Sequence, residues 1–184
     1  MAKTLIIGVG NDFRGDDGAG LLVARLLQQE ELPGVDVRES SGEGGSLVEA
    51  WQGYETVILV DAARSGDAQG TVYRFEAQRD PLPAHLSSGV SSHTFGVAGA
   101  VELARRLDRL PPRLIVYAIA GQDFTLGAPV THAVQAAARE LARFLTRLLK
   151  PASAPDDNRN TDQSDRPAKQ VEAIRVPAIH HARP

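Results

Sequence analysis

The 184-residue sequence contains no cysteine, and this absence excludes several kinds of chemistry at once. Disulfide bonds, thiolate nucleophiles and cysteine-ligated zinc or iron–sulfur sites are all ruled out. Any metal ion would therefore be bound by aspartate, glutamate or histidine side chains. The chain is 42% hydrophobic, which is ordinary for a globular protein and sufficient for the core of one domain.

Long apolar runs and an excess of positive charge are also absent. No stretch approaches the roughly 18 apolar residues of a membrane-spanning helix, and the first residues lead into a strand pattern rather than a signal-peptide core. The formal net charge is −3, which disfavours binding to nucleic acid or to acidic membranes. We therefore expect a cytoplasmic protein that contacts neither nucleic acid nor membrane.

Strand-length apolar runs alternate with helical patterns over residues 1–150, which predicts one α/β domain. The connection before the fourth strand has only about six residues, too few for a crossover helix, so this strand is predicted to be antiparallel. After Pro151 the sequence becomes polar and proline-rich, which predicts a disordered tail over residues 151–184. The predicted strands are Thr4–Gly10, Val35–Glu39, Thr56–Ala62, Thr71–Glu76 and Arg113–Ala120, and the predicted helices are Asp17–Glu31, Ser46–Gln52, Thr94–Leu107 and Pro129–Lys150.

The stretch GVGNDFRGDDGAG, from Gly8 to Gly20, follows the first predicted strand. The spacing of its glycines is similar to that of a phosphate-binding turn. The sequence nevertheless matches neither the GxGxxG motif nor a Walker A loop. Aspartates at a helix start would also repel a phosphate. The loop therefore predicts a cation site with Asp17 as ligand, Asp16 as helix cap or assisting carboxylate, and Asp12 exposed. Asp16 and Asp17 are open to a simpler interpretation, because acids commonly stabilise the first turn of a helix.

A second carboxylate is expected near this loop. Ligands of open α/β sheets bind beyond the carboxyl ends of the strands, where the winding direction reverses. If the second strand lies outside the first and the third lies on its other side, Asp61 at the end of the third strand meets Asp17 there. A carboxylate that ends a buried strand needs a partner or a cap to offset its desolvation.

His93, in the stretch SSHTFG, is the third candidate ligand. It follows a loop of roughly 15 residues, longer than most loops in compact domains, with ample reach to the same edge of the sheet. Two carboxylates and one imidazole suit nickel, iron, zinc or manganese. His85 and His132 lack such neighbours and are assigned to a solvated loop and to a helix start. The tail pair His180 and His181 could contact a metal weakly, but a solvated end with no fixed role is the preferred interpretation.

A receiver-type phosphoacceptor is an alternative, because it also places acids after the first and third strands, around a magnesium ion. It requires a lysine after the fifth strand, but that stretch reads AIAGQDF here. The receiver interpretation is therefore the weaker alternative, because this lysine is missing.

The sequence also lacks the hydrolase signatures HExxH and GxSxG.

The stretches GVGNDFRGDDGAG, ILVDAA and SSHTFG resemble, in order and separation, those of the hydrogenase maturation proteases, over about residues 4–149. The resemblance implies an endopeptidase that removes the C-terminal extension of a nickel–iron hydrogenase large-subunit precursor after nickel insertion. It implies a three-layer α/β/α fold, phosphorylase/hydrolase-like, with a five-stranded twisted mixed sheet whose fourth strand is antiparallel. We expect the enzyme to act as a monomer.

Carried over residue by residue, the resemblance places the metal contacts on Asp17, Asp61 and His93. Nickel would arrive with the precursor rather than reside in the enzyme. Water could be activated by nickel as a Lewis acid or by a carboxylate, and the catalytic candidates are Asp17, Asp61 and Asp16. A non-catalytic metal-binding accessory protein of hydrogenase assembly remains the main alternative.

Two loops depart from the pattern of the family and are expected to select the substrate. After the second strand this chain reads RESSGEGG, which makes Ser41, Gly42 and Glu43 candidates for substrate recognition. After the fifth strand it has Ala120-Gly121 followed by Gln122, a further candidate that would line the crevice.

Overall fold

The structure, a computed structural model, describes residues 3–79, 82 and 96–150, together with the backbone of residues 180–181. The strands are β1 (Thr4–Val9), β2 (Val35–Ser40), β3 (Thr56–Ala63), β4 (Val72–Glu76), β5 (Arg113–Ala120) and β6 (His180–His181). The helices are α1 (Ala19–Gln28), α2 (Gly44–Ala50), α3 (Val97–Arg106) and α4 (His132–Leu149).

The strands form one mixed sheet in the order β2-β1-β3-β5-β4-β6. β1 pairs in parallel with β2 and β3, and β3 pairs in parallel with β5. β4 runs antiparallel to β5, which confirms the orientation predicted from its short connection. The winding direction reverses between β1 and β3, so the ligand crevice of this sheet lies beyond the carboxyl ends of these two strands.

Helices cover both faces of the sheet, because the central strands are apolar on both sides. In β1, Leu5 and Ile7 belong to one core cluster and Ile6 belongs to the other, as strand geometry requires. α2 and α3 pack on the first face, and α1 and α4 pack on the second. The predicted three-layer α/β/α architecture is therefore confirmed. Within the described part of the chain, no helix has the length and hydrophobicity needed to span a membrane.

α1 begins two residues later than predicted, since Gly15–Gly18 forms a 3₁₀ turn before it. Glycine allows this turn and the start of α1 to lie directly on the sheet. A Cβ atom at Gly20 would overlap the carbonyl oxygens of Val9 and Val60, and one at Gly8 would overlap the carbonyl oxygen of Gly20. Gly8 and Gly20 thus allow close packing of α1 against β1 and β3.

β6 lies within residues 151–184, for which the sequence predicts a disordered tail. The backbone of His180–His181 pairs in parallel with Tyr73 and Arg74 of β4. An edge strand presents unpaired N–H and C=O groups, and this pairing satisfies some of them. The remainder of the predicted tail lies outside the described residues.

Gly20→Ala tests whether close packing of α1 requires glycine. The added methyl group would force α1 away from β1 and β3, and we expect the free energy of unfolding to fall by about 3 kcal/mol or more. Gly53→Ala is the control, because Gly53 has a positive φ of 80° but no heavy atom within 4 Å of the position that a Cβ atom would occupy. It should cost only about 1–2 kcal/mol of backbone strain. Equal losses for the two variants in urea titrations would contradict the packing argument.

Candidate active site

Asp17 and Asp61 lie at the same edge of the sheet, as the sequence predicts. Asp61 occupies β3 one position beyond Val60, the last β3 residue that pairs with β1. Asp17 lies in the 3₁₀ turn, and its carbonyl oxygen accepts a hydrogen bond of 3.3 Å from the backbone nitrogen of Asn11. The turn is held over the ends of β1 and β3 by the close approach of Gly20. Two carboxylates from distant parts of the chain therefore converge on the crevice.

The Asp17 carboxylate is buried without hydrogen bonds. The residue is only 5% exposed, and among the described residues no group donates to its side chain. Burial raises the pKa of Asp17 above its ordinary value, and the positive charge of Arg14 offsets this rise only in part. A buried carboxylate with so little solvation gains most from a cation.

Asp61 has a similarly unfavourable environment for its negative charge. The residue is half-buried, and its Oδ1 accepts one hydrogen bond of 2.8 Å from the backbone nitrogen of Ala62. Burial and then the neighbouring charge of Asp17 raise the pKa of Asp61 to about 8. The two carboxylates repel each other, so a cation between them would stabilise both in the ionised form.

Asp17 opens onto a cleft of about 470 Å³ between the loop after β1 and the end of β2. Arg14 also lines this cleft, and its buried Nε has no hydrogen-bond partner within the described part of the chain. Asp12 is exposed, as predicted, and forms a two-bond ion pair with Arg25, with N–O distances of 2.8 and 2.6 Å. Arg25 also binds Glu39 on the opposite side of the cleft.

Asp16 has contacts that differ from those of a helix cap. It is fully buried, and it neither caps α1 nor faces the cleft as an assisting carboxylate. Its Oδ1 accepts hydrogen bonds from the backbone and side chain of Thr131, at 2.8 and 2.7 Å. Its Oδ2 accepts from Gln69 Nε2 and from the backbone nitrogens of Gln122 and Asp123, at 2.9 to 3.1 Å. Both oxygens are thus occupied by protein donors.

These hydrogen bonds reverse the effect of burial on Asp16. Burial alone would raise the pKa of this carboxyl, but the bonds from Thr131, Gln122 and Asp123 hold it below its ordinary value. Asp16 therefore remains ionised as a structural clamp between the loop after β1, the loop after β5 and the start of α4. The catalytic role predicted for Asp16 does not fit this geometry.

Of the four residues predicted to recognise the substrate, one lines the cleft. Ser41 lines the cleft beside Asp17. Gly42 supplies a positive φ of 89°, and Glu43 caps α2 by accepting from the backbone nitrogens of Gly45 and Ser46. The backbone of Gln122 is bound to Asp16, and its side chain is exposed.

The candidate histidines are not part of the described site. His93 and His85 lie outside the described residues, and His132 is the exposed first residue of α4. Among the residues that the structure describes, no group of three histidine, cysteine, aspartate or glutamate side chains is placed to hold a metal ion. Of the three residues predicted to contact a metal, Asp17 and Asp61 lie within the described site.

A family model for hydrogenase maturation proteases, HycI, matches residues 21–147, more than half of the chain. The chain belongs to the hydrogenase maturation protease family. The match includes Asp61 and begins just after the loop that carries Asp17. Peptidase activity is the activity of this family.

Individual relatives agree with this assignment. The hydrogenase expression/formation protein HoxM of Azotobacter vinelandii is 27% identical over 160 residues, covering 83% of this chain and 76% of its own length. The hydrogenase 2 maturation protease of Escherichia coli K12 is 24% identical over 137 residues, covering 73% and 82%. The crystal structure of the [NiFe] hydrogenase maturation protease HycI from Thermococcus kodakarensis KOD1 superimposes with a TM-score of 0.65, at 25% identity, covering 82% of this chain and 94% of the neighbour.

Three residues of the site are missed by reasoning from the sequence. Gln69 and Thr131 bind Asp16 across 53 and 115 positions of the chain, so no local pattern indicates them. Arg14 stands inside the glycine-rich loop, and its place beside two aspartates is a signal that could have identified it.

Asp16→Asn tests the structural clamp. The amide would direct an NH₂ group at donors that need an acceptor, and we expect a loss of about 3 kcal/mol or more in the free energy of unfolding near neutral pH. Because the folded-state pKa of Asp16 is lowered, its contribution is present above the ordinary carboxyl pKa of about 4 and is lost as pH falls through the folded value. The difference between wild type and variant should therefore shrink in acid.

Asp17→Asn is the matched comparison for this measurement, since it changes the adjacent aspartate in the same way. It removes a poorly solvated charge and no hydrogen bond, so stability should stay constant or rise. Equal destabilisation by the two variants would contradict the different roles assigned to these neighbours.

Proposed function

We propose that this protein is an endopeptidase that removes the C-terminal extension from the large-subunit precursor of a nickel–iron hydrogenase after nickel has been inserted. The observation that carries the proposal is the pair Asp17 and Asp61 in a protein of the maturation protease family. These two poorly solvated carboxylates are close enough for the charge of Asp17 to raise the pKa of Asp61, and Asp17 lines a cleft. A site of this kind is suited to recognise a cation.

In this proposal nickel is part of the substrate. Carboxylate oxygens bind divalent first-row metals, and a site with few protein ligands leaves positions for groups of the precursor. Asp17 has both carboxylate oxygens without hydrogen bonds from the described residues, and Asp61 uses only Oδ1. Insertion of nickel into the precursor would thus create the feature that these carboxylates bind, which makes cleavage follow metal insertion.

We propose His93 as the third ligand. α3 begins at Val97, four positions after His93, and leads back to β5, which starts at the edge of the sheet opposite to the crevice. A helix that returns to that edge begins on the crevice side. This connectivity supports delivery of His93 towards Asp17 and Asp61.

Peptide hydrolysis needs an activated water and a polarised carbonyl. We propose that nickel polarises the scissile carbonyl or the water as a Lewis acid, and that a carboxylate oxygen of Asp17 accepts the proton of the attacking water. Asp17 then delivers this proton to the amine nitrogen as the C–N bond breaks, which releases the extension with a free amino group and leaves a carboxylate on the precursor. Asp16 is a poor candidate for the general base, because its two oxygens already accept five hydrogen bonds. Asp16 instead positions the turn that bears Asp17.

The test compares nickel-loaded and nickel-free precursor as substrates of the purified full-length protein. We expect the wild type to shorten only the loaded precursor, with the new C-terminus read by mass spectrometry. Asp17→Asn and Asp61→Asn should each reduce processing at least about a hundredfold while folding normally, since they remove charges that the cation needs.

Glu140→Gln is the matched control, because Glu140 is an exposed acid on α4 outside the cleft. It should process the precursor at the wild-type rate. Equal shortening of the two precursor forms would contradict nickel recognition. Tight binding of the loaded precursor without any cleavage would instead identify a non-catalytic accessory protein.

A further inference from the structure

Two large apolar side chains are mostly exposed on adjoining loops, and one of them, Phe13, lines the cleft. Phe13 is 73% exposed and Leu126 is 77% exposed. The other large exposed hydrophobic residues of the described chain, Leu107 and Leu148, belong to the C-terminal ends of α3 and α4. Single exposed leucines of that kind need no explanation. Phe13 and Leu126, by contrast, come from two loops that meet although they are 113 positions apart, and we call this pair the apolar ridge.

Backbone hydrogen bonds join the two loops of the apolar ridge. The nitrogen of Gly127 donates to the carbonyl oxygen of Phe13 at 2.7 Å. The nitrogens of Gly15 and Asp16 donate to the carbonyl oxygens of Ala128 and Asp123, at 3.1 and 2.7 Å. The apolar ridge is therefore held in one place by its backbone, although its side chains bury almost nothing. Because the backbone of both loops is already fixed, little backbone entropy is lost when a partner covers these side chains.

The apolar ridge is continuous with the cleft that contains Asp17. Phe13 itself lines that cleft, together with Arg14. Across the cleft the wall is charged, with Arg25 bound to both Asp12 and Glu39. An apolar anchor bordered by polar groups is the usual composition of a protein interface. A cleft of about 470 Å³ accommodates only a short length of peptide, so the adjoining part of a protein substrate must rest on its borders.

We propose that the apolar ridge, Phe13 and Leu126, docks an apolar segment of the protein substrate next to the bond that is cleaved. This inference rests on the proposed function, since it assumes a protein chain over Asp17. The apolar ridge supplies binding energy and no chemistry, so it sets the affinity for the precursor rather than the rate of the bound complex.

Steady-state processing of nickel-loaded precursor by full-length variants tests the apolar ridge. Phe13→Ser and Leu126→Ser should each raise KM several-fold, and the double variant should raise it about tenfold or more, with kcat unchanged. Phe13→Leu should keep most of the affinity, because it keeps an apolar side chain. Leu148→Ser is the control for loss of an exposed leucine and should match the wild type.

The possible results separate this inference from the proposed function. An unchanged KM in the double variant, or a fall in kcat alone, would overturn the apolar ridge while wild-type cleavage upholds the function. If the wild type binds the precursor without cleaving it, the function fails, and the dissociation constants of the same variants test the apolar ridge. If sedimentation shows a wild-type oligomer that Phe13→Ser converts to monomer, the apolar ridge joins two copies of this chain and the inference is wrong.

Discussion

The carboxylate of Asp16 is the interaction on which the rest of the site depends. It accepts hydrogen bonds from Gln69, from two successive backbone groups after β5, and from Thr131 at the start of α4. Without the carboxylate, the backbone nitrogens of Gln122, Asp123 and Thr131 would lose this acceptor, which costs free energy in a partly buried site. The clamp therefore fixes the turn after β1 relative to three other parts of the chain, and the position of the next residue, Asp17, follows from it.

Asp16 and Asp17 show how neighbouring residues of one type acquire opposite properties. Hydrogen bonds stabilise the ionised form of Asp16 and lower its pKa, whereas burial without hydrogen bonds raises the pKa of Asp17. The ionised form of Asp16 therefore stabilises the folded protein, whereas the ionised form of Asp17 destabilises it. In the proposed function, the poor solvation of Asp17 and Asp61 strengthens their attraction for a cation that the substrate carries.

Features that depend on local pattern and on general rules of topology could be predicted from the sequence. The short connection before β4 predicted its antiparallel orientation, and the switch point between β1 and β3 predicted the convergence of Asp17 with Asp61. The predicted start of α4, at about Pro129, lies three residues before the observed one, and Thr131, which precedes the helix, is bound to the distant Asp16. The clamp itself, the pairing of β6 and the meeting of the loops that carry Phe13 and Leu126 depend on tertiary contacts that no local pattern records.

Joint binding of a divalent metal by Asp17 and Asp61 is the central claim. The most direct measurement is an anomalous difference map from crystals of the full-length protein soaked in Ni²⁺, with data collected at the nickel absorption edge. We expect a nickel peak within coordination distance of carboxylate oxygens from both residues, and loss of that peak in Asp17→Asn. Nickel bound elsewhere, for example at His180 and His181, with no peak between Asp17 and Asp61, would contradict the claim.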